Sequence, residues 1–313
     1  MIEAKKRDGS LDGLKFMLIF LVILGHIECE TFGFPLVQLI YSFHMPLFIM
    51  ISGYLSHVKD GQCFRAWCVK TIGIYLIFCL LHLLVSVFIL KRPFSLMSFV
   101  SPPLALWYIL SLVFWRSALQ LASFWNVSID WRLLLLSFLL IAPVAFIPVG
   151  QTLSFQRTFA FFPFFLMGYL CRQGKIPDFF ARRDDLPVPV LLLFLVACFF
   201  LACQFPFYQP REPVEGVRGL LVRYVLTINA FVLCYSILQL IPRSLAARFA
   251  RLGEYTLYFY LYHTLFVRIQ EKLLLNWGIN LNVFHAIALA VLYVILIYGM
   301  HKVRVFRWLL LER

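Results

Sequence analysis

Leu11-Asp12-Gly13-Leu14-Lys15-Phe16-Met17-Leu18-Ile19-Phe20-Leu21-Val22-Ile23-Leu24-Gly25-His26 decides the fold. From Phe16 to Leu24 every side chain is apolar, so no face of a helix built here is wettable. A helix apolar all round sits in a bilayer or a large core. Lys5, Lys6 and Arg7 precede the run, as in a secretory signal. No small-residue cleavage site follows, which predicts an uncleaved first span.

The same texture recurs along the chain. Ten apolar segments can be marked, at about 12–29, 35–57, 66–90, 103–122, 132–149, 154–172, 187–205, 219–241, 252–272 and 281–301. Each approaches the roughly 20 residues needed to cross a hydrocarbon layer. The fifth and sixth are the weakest, because Pro143 and Pro148 interrupt the fifth and the loop between the two is short. Composition agrees: of 313 residues 62% are hydrophobic and 14% charged, with a mean hydropathy of +0.88. Soluble domains are about 45–50% apolar and about 25% charged. The expectation is an all-α polytopic membrane protein of about ten helices forming a single domain over 1–313.

The net charge of +13 would point to nucleic acid in a soluble protein. Here the basic residues punctuate apolar runs, so they orient the chain and predict no nucleic-acid partner. With the amino terminus inside, 19 Lys and Arg fall on cytoplasmic segments and 8 on outer ones (Lys91, Arg92, Arg157, Arg211, Arg218, Arg223, Arg268, Lys272). Both termini are therefore expected in the cytoplasm. That topology makes the Asn126-Val127-Ser128 sequon a matter of spelling only. Cys63/Cys68 and Cys198/Cys203 lack the C-x-x-C spacing of zinc or redox sites, and no metal or disulfide is expected.

Ionisable residues inside spans mark function unless they snorkel or pair structurally. Lys15 and His26 are eleven residues apart, so they share one helix face, separated by about 16 Å along the axis. A cation near the inner surface and an imidazole farther up suit a long anionic ligand with a reactive far end, such as coenzyme A carrying a thioester. A snorkelling Lys15 and a packing His26 fit the spacing equally. The second span carries Tyr41-Ser42-Phe43-His44-Met45-Pro46. His44 is either a second acid–base group or a cap for carbonyls freed by Pro46.

Asp12-Gly13-Leu14-Lys15 with His26, followed by Phe43-His44-Met45-Pro46-Leu47-Phe48-Ile49-Met50-Ile51-Ser52-Gly53-Tyr54, resembles the membrane-bound acyltransferase 3 family, and within it the fucose 4-O-acetylase-like branch. Three later segments agree: Leu106-Trp107-Tyr108; Arg157 through Pro163 to Gly168; and Leu252-Gly253 through His263. The resemblance runs in order over about 250 residues, and the region 175–245 carries no matching motif. It implies an acyl-CoA donor, usually acetyl-CoA, with no tightly bound cofactor, and a carbohydrate acceptor. The basic-x10-His motif falls on Lys15 and His26, making His26 the implied catalytic histidine.

On that resemblance His26 is expected to act as general base, with His44 as its companion. Lys15 would hold the donor's phosphate end, and Asp12 would pair with it or serve as a helix cap. Trp107 and Arg157 are candidates for the acceptor side and the oxyanion; Trp107 offers either a platform for a sugar ring or an interfacial belt residue. His263 either completes the site or only bonds between helices, while His82 and His285 are read as structural. The expected protein is a bacterial inner-membrane O-acetyltransferase acting on surface polysaccharide or its lipid-linked precursor, among membrane lipids and in the company of polysaccharide-assembly proteins. A glycan-precursor flippase and a non-catalytic synthase subunit are the rival readings.

Overall fold

A computed structural model describes residues 9–27, 33–149, 151–183, 185–205, 210, 212–277 and 281–311. Lys5, Lys6, Arg7 and Arg313, part of the inner-side charge count, lie outside them, as does Arg211. Among the described residues ten helices have nine or more residues. They are α1 (Gly9–Ile27), α2 (Gly33–Tyr54), α3 (Gly61–Leu84), α4 (Trp107–Phe124), α5 (Trp131–Leu139), α6 (Phe155–Arg172), α7 (Val188–Cys203), α8 (Gly216–Leu240), α9 (Thr256–Trp277) and α10 (Val283–Met300). They fall on the ten expected segments, with ends displaced by a few residues except in the fifth, whose helix stops ten residues short of the expected end. No strand occurs among the described residues.

Six stretches are long and apolar enough to cross a membrane: Gly9–Ile27, Val37–Tyr54, Gly61–Ile89, Leu104–Phe124, Gly216–Leu240 and Val283–Met300. Trp131–Ala145 and Val188–Cys203 are apolar but shorter. The outer faces are greasy, with Phe284 81%, Leu193 68% and Ile295 61% exposed. Such surface is tolerable only against lipid. The protein is a multi-pass helical membrane protein. Helices α6 and α9 are as long, but carry Gln156, Arg157 and Thr158, and Arg268, Glu271 and Lys272, respectively. Both helices line the interior: Phe165, His263 and Thr264 are fully buried.

The fifth segment breaks as its prolines predict. Helix α5 stops at Leu139 and a short helix resumes over Ile141–Ala145. Pro143 has no N–H for the Leu139 carbonyl, so the ladder fails there.

Two backbone crossings hold the helices together near their ends. A Cβ on Gly53 would overlap the Phe165 carbonyl, and one on Gly168 would overlap the Met50 carbonyl, so α2 and α6 touch backbone to backbone. Near the start of α1, Gly13 abuts the Ala246 carbonyl and Gly253 abuts the carbonyl of Asp12. Small residues at such crossings are how helices associate where no hydrophobic drive separates them from lipid.

Between α3 and α4 the chain doubles back into the bundle. Tyr75, midway along α3, donates to the Phe99 carbonyl at 2.9 Å, and Tyr260 of α9 donates to the Ala105 carbonyl. Helix α4 therefore begins inside the protein, not at a membrane surface. Three residues adopt left-handed backbone just before the helices that matter below: Leu104 (φ 45°) ahead of α4, and Leu153 (φ 49°) with Ser154 (φ 56°) ahead of α6. For side chains other than glycine this conformation is sparsely populated and costs about 1–3 kcal/mol per residue.

Candidate active site

Helix α1 delivers His26 on its last turn, partly exposed. The His263 ring of α9 faces it with centroids 5.5 Å apart, and Tyr41 of α2 lies 6.3 Å away. Tyr41 in turn sits 4.9 Å from His44, and its hydroxyl donates to the Gly25 carbonyl at 3.2 Å. Four elements of the expected motifs thus converge: the end of α1, the middle of α2, the start of α6 and the lower half of α9.

His44 and His263, both buried, share one hydrogen-bonding habit. His44 Nδ1 donates to the Ile40 carbonyl at 2.6 Å, and His263 Nδ1 donates to the Phe259 carbonyl at 2.8 Å. A carbonyl only accepts, so each Nδ1 carries the proton and each neutral ring keeps its lone pair on Nε2. His263 Nε2 is buried without a hydrogen-bond partner among the described residues. A lone pair held so, beside another imidazole, is available to a substrate proton. The capping role considered for His44 is not the one observed: Pro46 withholds its bond from the Ser42 carbonyl, whereas His44 bonds to Ile40.

Arg157 stands in the first turn of α6 with its guanidinium 5.1 Å over the Trp107 ring. The charges of Arg157 and of Arg268, on α9, both fall on His26. Trp107 is 7% exposed and stacks on Phe161 at 5.4 Å. The interfacial-belt reading of Trp107 is therefore corrected by the re-entrant start of α4, and the face expected to receive a sugar ring is engaged by protein. What its indole does hold is the Arg157 cation, an arrangement worth about 2 kcal/mol when desolvated.

Asp12 and Lys15 form an ion pair at 2.7 Å, three residues apart on α1. They lie away from the histidines, at the end of α1 where Gly13 and Asp12 contact Ala246 and Gly253. The same end carries a small cleft lined by Ser10, Leu14, Tyr54, Asp178 and Arg243. Lys15 and His26 thus occupy the two ends of one helix face, as their spacing requires.

His82 is 2% exposed and bonds to Thr264 Oγ1 at 2.9 Å, while His285 completes a capping box with Asn282 at the start of α10. Sequence alone does not single out three residues at this site: Tyr41, which sits in the second-span motif without a role, Arg268, which reads as an outer-side charge, and Gln270. Gln270 Nε2 donates to the Ile27 carbonyl at 3.3 Å, next to His26, while its Oε1 accepts from the Tyr293 hydroxyl at 2.5 Å. The signal for Arg268 and Gln270 was their presence within an apolar segment. Among the described residues no group of three or more His, Cys, Asp or Glu is placed to hold a metal ion.

Comparison with known proteins adds the following. Nodulation protein NolL of Sinorhizobium fredii is 38% identical over 78 residues, covering 22% of this chain and 20% of that protein. Nodulation protein NolL of Mesorhizobium japonicum is 48% identical over 58 residues, covering 16% of each. The chain thus spans a fifth or less of the length of these curated relatives. No solved structure matches. The model of an acyltransferase domain, that of the acyltransferase 3 family, matches residues 8–302 and takes in every helix from α1 to α10. On that match, the chain belongs to the acyltransferase 3 family and is a membrane acyltransferase.

Proposed function

We propose that the protein is an O-acetyltransferase of the bacterial cytoplasmic membrane that moves acetyl from acetyl-CoA to a hydroxyl of a surface polysaccharide or its lipid-linked precursor. The observation that carries this reading is the facing pair His26 and His263, set inside the bundle beside the Arg157 cation. Acyl transfer to an alcohol needs a base for the hydroxyl proton and a positive group for the oxygen that gains charge. Both are within one cluster of side chains here.

In this mechanism the His26 imidazole takes the proton of the acceptor hydroxyl as its oxygen attacks the thioester carbonyl carbon. The C–O bond forms, negative charge collects on the former carbonyl oxygen, and Arg157 stabilises it. The C–S bond then breaks, and the leaving thiolate of coenzyme A takes the proton from the His26 imidazolium. His263 accepts from the acceptor through Nε2 and orients it. His44 is the second acid–base group, coupled through Tyr41. Lys15, braced by Asp12, holds the phosphate end of the donor, and Trp107 seats Arg157.

The test is direct. Purified protein in lipid nanodiscs is given acetyl-labelled acetyl-CoA and glycan from a strain lacking the gene. Label transfer with stoichiometric release of coenzyme A is expected, and His26→Ala should reduce it by at least about 100-fold, the usual weight of a general base. Failure to turn over with any carbohydrate acceptor, or a fully active His26→Ala protein, overturns the reading.

A further inference from the structure

Gln156, the residue before Arg157, is 1% exposed, and its amide is bonded at both atoms. Its Nε2 donates to the Val144 carbonyl at 2.9 Å and to the Ile147 carbonyl at 2.8 Å. Its Oε1 accepts from Arg223 Nη1 at 3.0 Å. The vacancy filled by the first bond is written in the sequence. In a continuing helix the Val144 carbonyl would take the N–H of residue 148, and that residue is proline, which has none. Gln156 thus ties the broken fifth segment to the first turn of α6.

Arg223, on α8 and 5% exposed, closes the arrangement from the other side. Its Nη2 donates to the Glu212 carbonyl at 2.6 Å, and Glu212 Oε1 accepts from Gln151 Nε2 at 3.2 Å, just ahead of the left-handed corner. Beyond Arg157, Thr158 is anchored to α4: its hydroxyl shares a hydrogen bond with the Ser111 hydroxyl at 2.7 Å, and its carbonyl accepts from Trp115 Nε1 at 2.8 Å. Arg157 therefore leaves its helix between two anchored neighbours, and its guanidinium lies over Trp107.

The corner at Leu153 and Ser154 is left-handed in residues other than glycine. Such backbone persists only where its surroundings over-determine it. Released, the start of α6 would relax toward ordinary dihedrals and carry Arg157 with it. The anchors of Thr158 lie past Arg157, whereas those of Gln156 lie between the corner and the cation. We infer that Gln156 and Arg223 are positioning residues of the acyltransferase, which together lock the first turn of α6 and so set Arg157 over Trp107. They act through Arg157 and not on substrate. The inference rests on the role proposed for Arg157 and adds what fixes that cation in place.

The experiment uses the full chain in nanodiscs and pairs turnover with a readout of Arg157 itself. Gln156→Met keeps the bulk of the side chain and removes its three bonds. Misplacement of a reacting group by about 1 Å can cost about 100-fold, so kcat for acetyl transfer should fall by at least about tenfold, with KM for acetyl-CoA unchanged. Arg223→Met should do the same, and Arg223→Lys, with one nitrogen for two acceptors, should be intermediate. In an Arg157→Ala background Gln156→Met should cost nothing further. Gln239→Met is the matched control: Gln239 is also buried, accepts from the Arg183 N–H and donates to the Ala181 carbonyl, at the opposite end of α8. It should leave kcat unchanged. As a readout without turnover, protein carrying fluorotryptophan reports Trp107 by fluorine NMR, with Trp107→Phe assigning the resonance. Gln156→Met and Arg223→Met should each move that resonance toward its position in Arg157→Ala. A resonance unmoved by both, an undiminished loss in the Arg157→Ala background, or an equal loss in Gln239→Met would overturn the inference while acetyl transfer itself stands. Absence of transfer by the unaltered protein would instead sink the broader function, and the Trp107 resonance would still decide whether these residues set Arg157.

Discussion

Substituting alanine for Gly53 places a methyl group where the Phe165 carbonyl already is. The three nearest atoms all belong to the Phe165 backbone, so no rotamer change relieves the overlap. The helices must part. Overpacking of this kind costs about 1–3 kcal/mol, and separation of α2 from α6 also loosens Phe165, Leu166 and Met50, all fully buried. Gly168→Ala makes the reciprocal intrusion, onto the Met50 carbonyl and the Tyr54 nitrogen. Each single variant should lose about 2 kcal/mol. The double variant should lose less than the sum by about 1 kcal/mol, because helices parted by the first methyl already admit the second. Gly299→Ala is the control: it lies in α10 with open space at its Cβ. There alanine should stabilise by up to about 1 kcal/mol, through helix propensity alone. Reversible unfolding in mixed detergent micelles, followed by circular dichroism, measures all four. Strict additivity of Gly53→Ala and Gly168→Ala would show that the two glycines do not guard one crossing.

Other outcomes follow from the same contacts. Trp107→Ala should destabilise the fold by about 3–5 kcal/mol and remove the seat of Arg157, whereas Trp107→Phe should restore most of the stability but less of the acyl-transfer rate; equal recovery of both would sever Trp107 from Arg157. Cys63 is exposed at the start of α3, while Cys79 and Cys234 are buried, so a membrane-impermeant maleimide should label Cys63 in inside-out vesicles and not in intact cells. Labelling in intact cells would invert the topology. The Asp60 carboxyl, in the loop before α3, accepts from the Cys63 side chain and from the N–H groups of Cys63 and Gln62, which holds it below the ordinary carboxylate range. Its cap is therefore present at neutral pH and lost as pH falls through that lowered value, and amide exchange at Gln62 and Cys63 should accelerate only in acid; acceleration above the ordinary carboxylate range would exclude this cause.

The spans were readable because length and apolarity suffice to define them, and the interruption near Pro143 because a missing N–H has one consequence. The directions in which those spans face were not readable. Helix α7, α1 from Phe16 to Leu24 and α10 from Ala286 to Leu296 are apolar on every side, so sequence periodicity does not separate the face toward lipid from the face toward protein. That is why Arg268, on α9, passed for an orienting charge, and why Trp107 passed for a membrane-surface residue. The place of Trp107 depends on Ser101–Leu106 turning inward, a path fixed by contacts with Tyr75 and Tyr260 more than 20 residues away in sequence. His26, His44 and His263 were legible as candidates. The Nδ1 donation shared by His44 and His263 was not, because it follows from helical backbone already in place.

The left-handed corners at Leu104, Leu153 and Ser154 bear on timing. They are built by the chain itself, and they set the first turns of α4 and α6, from which Trp107 and Arg157 project. The unfavourable backbone is settled once, when the protein folds, and is not charged again to each catalytic cycle. The cation is aimed before any donor or acceptor arrives, so the reacting groups meet an electric field already in place.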